Sequence, residues 1–138
     1  MYADMRQGHT SLVLDVNFSI GGKLSETFDF PDSQGEAIRM VVGAHSTLQA
    51  KPIHIDGSQL EAVNNGTTFF YIWGYAKYKD IIPDTPDRIT RFCVQVTAVS
   101  GNPTLPYAQS TNPVEITFSF YKQNNCMDEG CHQQKANA

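Results

Sequence analysis

Residues 11–20, SLVLDVNFSI, alternate without a break: Leu12, Leu14, Val16, Phe18 and Ile20 fall on one side, Asp15, Asn17 and Ser19 on the other. A period of two is the mark of a half-buried strand. Gly21 and Gly22 end it, and LSETFDF then offers a second strand through Leu24, Phe28 and Phe30. Pro31 to Gly35 reads as a turn. AIRMVVGAHSTL fits a buried strand or a short helix, and its Ile, Met and Val content favours strand. KPIHI opens on proline and suits an edge strand. One helical turn is expected, capped by Ser58, wound over Gln59 to Val63 and closed by Gly66.

TTFFYIWGYAKYK and RITRFCVQVTAV are dense in aromatic and β-branched residues. They predict a long β-hairpin with a proline-bearing tip. VEITFSFY alternates again, with Val114, Ile116, Phe118 and Phe120 expected inward and Glu115, Thr117 and Ser119 outward. About seven short strands with almost no helix predict an all-β, immunoglobulin-like antiparallel sandwich. Residues 1–122 form one domain on this reading, and residues 123–138 a tail partly ordered by a disulfide.

Composition narrows the function. A net charge of -4, with no basic run, argues against a nucleic-acid partner. No stretch approaches the roughly 18 apolar residues of a membrane helix. The opening MYADMRQGHT is too polar for a signal peptide, so export implies a targeting segment outside this sequence. There is no Gly-x-Ser-x-Gly elbow, phosphate-cradling glycine loop or His-Glu-x-x-His helix, and no enzymatic activity is expected. His9, His45 and His54 are isolated and suit structural roles. Asp80, Asp84 and Asp87 cluster at the hairpin tip, where a solvated loop is expected rather than a calcium site.

Two constellations carry candidate chemistry. Tyr71, Trp73 and Tyr75 share one side of the aromatic strand. In one hairpin register they join Phe92 and Val94 in the core. In the other they lie beside Arg91 and Gln95 as a stacking platform for sugars, with Arg91 capping a ring. Packing is the favoured reading. Cys93 lies on the polar side of its strand and is expected to point away from the core.

The second constellation is Cys126-Met-Asp-Glu-Gly-Cys131-His132. Two thiols followed by histidine admit a c-type haem, though the surroundings lack apolar cover. Cys126, Cys131 and His132 also admit zinc, with Asp128, Glu129 or Cys93 as fourth ligand, at a spacing that matches no standard finger. The favoured reading is a structural disulfide without metal or cofactor, joining Cys93 to Cys126 or Cys131. Such a loop of over 30 residues would contribute about 3–4 kcal/mol. A local Cys126–Cys131 bridge constrains less.

Gly66, Phe70, Gly74, Tyr78, Asp80, Thr90, Phe92 and Cys93 follow a pattern: a short helix ending in glycine, an aromatic strand, a loop, then Thr-x-Phe-Cys. Over Ile55–Cys93 the chain resembles a widespread group of uncharacterised bacterial proteins. The resemblance implies a small β-rich domain outside the cytoplasm, carried by one N-terminal membrane helix. This chain departs from the group in having Ile82-Pro83 at the hairpin tip and no membrane helix. Group members also tend to carry a cysteine shortly after the final strand, which the resemblance adds in favour of a disulfide. The function expected is a structural or protein-interaction module. A carbohydrate-binding module through Tyr71, Trp73 and Tyr75, and a metal- or haem-carrying domain through Cys126, Cys131 and His132, stand as alternatives.

Overall fold

The computed structural model describes residues 9–33, 37–43, 47, 49–80, 84, 86–105 and 113–131. The chain is all-β with little helix. The strands are β1 (His9–Gly21), β2 (Ile38–Gly43), β3 (Phe69–Asp80), β4 (Arg88–Ser100), β5 (Glu115–Phe120) and β6 (Cys126–Met127), with helix α1 (Gly57–Asn64) between β2 and β3. All the described strands join one antiparallel sheet in the order β2-β1-β3-β4-β5, with β6 also on β4. The predicted hairpin is its centre.

Several elements differ from expectation. Residues 24–30 are not a strand. The Phe28 amide bonds the Ser25 carbonyl at 3.1 Å, a turn that lifts the segment off the sheet edge and lays it across a face. Residues 51–56 run without strand pairing. The helix starts earlier than predicted. Asp56, not Ser58, is its N-cap, and Gln59 reaches back to the Asp56 amide at 3.1 Å in a capping box. Gly66 follows the helix with φ +79, the left-handed turn that glycine adopts without strain.

The register pairs Tyr71 with Gln95, Trp73 with Cys93 and Tyr75 with Arg91. Side chains directly opposite share a face, so two faces are defined. The first carries Asp15, Asn17, Tyr71, Trp73, Tyr75, Arg91 and Cys93. The second carries Leu14, Val16, Phe18, Phe70, Ile72, Phe92, Val94, Val96 and Phe120. A bulge between Val96 and Ala98 lets Val99 rejoin the second face opposite Ile116. Gly74 is needed where β1 and β3 close together: a Cβ there would stand 1.9 Å from the Asp15 carbonyl oxygen.

Each face has its own core. On the first, Phe30, Tyr71, Trp73 and Cys93 are buried, with Leu24, Phe28 and Tyr121 packed against them. On the second, Phe70, Val96 and Val99 are buried beneath Leu60 and Val63 of α1 and Ile55 of the approach to it.

Candidate functional site

The first face joins the residues of the stacking-platform register, yet it is not a platform. Tyr71 and Trp73 are 2% and 5% exposed. The strap from Gly22 to Ser33 covers them. Phe28 stacks on Phe30 with centroids 4.9 Å apart, and both meet the Trp73 ring edge-on, at 5.1 and 6.1 Å. Tyr121 closes the other side, 5.3 Å from Tyr71. Burial pushes the Tyr71 hydroxyl above its ordinary pKa. The Trp73 indole donates to the Pro31 carbonyl at 3.1 Å. Asp15, 2% exposed, accepts from the Ser33 amide at 2.9 Å and from Asn17 Nδ2 at 3.1 Å.

Tyr75 is half-buried at the margin of this face. Arg91 does cap its ring, 5.3 Å from the centroid, and also pairs with Asp32 of the strap at 3.0 Å. Burial, with the charges of Asp15 and Asp32, holds the Tyr75 hydroxyl above its ordinary pKa. As placed, Tyr71 and Trp73 offer no ring face to a sugar, and Arg91 serves as a clamp on the strap.

Cys93 belongs to this core rather than pointing away from it. It is fully buried, and burial pushes its thiol up to about 11. No bridge joins it to the tail: Cys126 pairs with Cys131 and Cys93 is free. The reason is the path of the tail. It runs along the edge of β4, not over its face. Asn125 spans the gap between β5 and β6 by accepting from the Cys93 amide at 3.0 Å and donating to the Cys93 carbonyl at 3.3 Å. Cys126 then lies opposite Arg91, and Asp128 exchanges backbone and carboxylate bonds with Ile89 at 2.8 and 3.1 Å. The short loop between partners five residues apart contributes about 2 kcal/mol in the chain-entropy model. With both tail sulfurs in the bridge, neither is free to bind metal as a thiolate or to attach haem as a thioether. His132 lies outside the described residues, as do His45 and most of the hairpin tip. Among the described residues no group of three or more His, Cys, Asp or Glu is placed to hold a metal ion.

The most open feature is one the sequence reading placed in the core. On the second face, Phe18, Ile72, Val94 and Phe120 stand side by side across four strands. Phe118 is opposite Val96 in the next row. Helix α1 roofs only the Phe70–Val96–Val99 end. Phe18, Phe118 and Phe120 are 46%, 47% and 79% exposed. These three rings leave roughly 300–400 Å² of apolar surface in water. That is the size of the largest patches on soluble monomers, which are often functional. A shallow pocket at the other side of this face is lined by Leu14, Val16, Ile38 and Ala50 with Ser33 and Lys51.

The alternation of VEITFSFY shows which side chains share a face. It does not show whether that face meets a second layer, so the open row could not be found from the sequence. Comparison with protein-family models, curated proteins and solved structures finds no match to this chain.

Proposed function

We propose that this domain is a non-enzymatic structural or protein-interaction module of the β-sandwich kind. It works outside the cytoplasm and is tethered to a membrane by a segment beyond this sequence. The observation that carries the reading is the open row Phe18–Ile72–Val94–Phe120. A sheet with an apolar face calls for a second layer, and we read an apolar row of this size, often functional on soluble monomers, as a surface that another protein covers. The Cys126–Cys131 bridge supports an oxidising compartment. The resemblance over Ile55–Cys93 to membrane-anchored bacterial domains supports the same location.

A photo-crosslinking amino acid at position 120, in the exported protein in its host, tests this against the same probe at Arg39, an exposed position on the opposite edge strand. Discrete cross-linked species from position 120 and none from position 39 are expected. No adduct from position 120, or the same smear from both, refutes the reading.

A further inference from the structure

The open row ends at the edge of β5, which among the described residues carries little of the usual protection. Natural edge strands are blunted by lysine, proline, bulges or covering loops. The opposite edge strand, β2, carries Arg39 as its second residue. β5 is Glu115-Ile-Thr-Phe-Ser-Phe120: its one charge is at its first residue, and it contains no proline or glycine. The sheet's bulge lies in β4, not in β5. Among the described residues no strand pairs with the outer edge of β5. Exposure along the row is greatest at this edge, where Phe120 is 79% exposed.

We infer that the partner at this edge is a second copy of the chain, paired antiparallel through β5 to make one continuous sheet. The inference rests on the interaction-module reading above and names the partner at its edge; the face of the row stays open in the continuous sheet. Antiparallel pairing sets residues of the same face opposite each other. A two-fold axis through Phe118 places the partner's Phe118 across from it, Ile116 across from the partner's Phe120, and Thr117 across from the partner's Ser119. Apolar side chains then meet on the second face and hydroxyls on the first. Aromatic and β-branched cross-strand pairs of this kind stabilise a sheet. The same axis brings Glu115 beside the end of the partner strand that leads into Lys122. That exposed cation pairs with the exposed Glu26 carboxylate, at 2.8 Å. The patch is therefore self-complementary in shape, polarity and charge, as an isologous interface requires. An acidic chain can associate with itself here because the row itself is uncharged.

Sedimentation of the full chain up to hundreds of micromolar tests the stoichiometry, and a cysteine scan tests the register. Twice the chain's mass is expected. Phe118→Lys sets two ammonium groups opposite each other and should weaken association on the order of tenfold or more, with an unchanged circular-dichroism spectrum. Phe118→Cys should cross-link to its own copy on oxidation, because residues opposite across a two-fold lie within disulfide reach. Ile116→Cys alone should not, whereas a mixture with Phe120→Cys should. Buried Cys93 does not compete. A strictly monomeric chain overturns the inference, as does a dimer that Phe118→Lys leaves intact. A dimer that cross-links through Phe18→Cys and not Phe118→Cys also overturns it, in favour of face-to-face stacking. If the chain is monomeric while position 120 still cross-links to another protein, the inference fails and the interaction-module reading stands. If neither occurs, both fail.

Discussion

Phe30 is the residue on which the strap turns, and its backbone makes an unusual prediction. It is 8% exposed, stacked on Phe28 and tilted against Tyr121 at 6.4 Å. Its φ is 49, in the left-handed region that a bulky residue seldom adopts. Truncating a buried phenylalanine to alanine costs about 3–5 kcal/mol. Alanine at position 30 keeps a Cβ and with it about 1–2 kcal/mol of left-handed strain. Glycine releases that strain but gives the unfolded chain extra freedom worth about 0.5–1 kcal/mol. Phe30→Gly should therefore be as stable as Phe30→Ala, or up to about 1.5 kcal/mol more stable, reversing the order found at ordinary buried positions. Urea unfolding read by the fluorescence of Trp73, the single tryptophan, gives both values from one probe that lies against the mutated ring. If alanine is the more stable by its usual half to one kcal/mol, the left-handed conformation at position 30 and the strap path built on it are wrong.

Two further predictions concern the sheet itself. Gly74→Ala drives a Cβ into the Asp15 carbonyl and must force β1 from β3, so a loss of about 3 kcal/mol or more is expected by thermal or urea unfolding. Gly22→Ala, with nothing within 4 Å of its Cβ, should change stability by no more than about 0.5 kcal/mol. Cys93 keeps its proton in the folded chain up to about 11, while the unfolded thiol loses it near 9.0. Its contribution is complete below pH 9 and is lost as pH rises towards 11, by about 2–3 kcal/mol in all. Stability measured across that range should fall less steeply in Cys93→Ala than in the parent.

Local period was enough to place β1 and the β3–β4 hairpin, because each alternates over many residues. It failed wherever the answer depended on what lies above the sheet. Arg91 and Gln95 make one side of β4 look solvent-facing, and that coloured the reading of Cys93 and of the aromatic strand. The structure has the register that joins the aromatics to Arg91, but a strap buries Tyr71 and Trp73 all the same. Leu24, Phe28 and Phe30 alternate as a strand would, and the turn at Ser25 makes them the roof instead. Chain entropy favoured a long disulfide loop to Cys93, but it ignores the path: Asn125 ties the tail to the edge of β4, where Cys126 meets Arg91. The open row was illegible for the same reason. Ile116, Phe118 and Phe120 have the spacing of core residues whether or not a second layer exists.

The contrast between the two faces argues for their separate roles. On the first, polar groups drawn under the strap meet partners from the chain itself: Asp15 with Ser33, the Trp73 indole with Pro31, Arg91 with Asp32, the Cys93 backbone with Asn125. Gln123 Oε1, whose amide donates to the Glu26 carbonyl, is the buried exception. A face tied down in this way is rigid and has little to offer a ligand. Among the described residues, the second face has no such devices over its outer half. Covering the three exposed rings would be worth about 8–10 kcal/mol by apolar area alone. Docking two bodies costs on the order of 4–15 kcal/mol, so partial cover of the rings must be joined by backbone hydrogen bonds at the strand edge for association to be favourable. The chain's own helix stops short of this region, and the row runs out to an unprotected edge. The roofed face thus holds the sheet in a fixed shape, and the open face and edge present that shape to a partner.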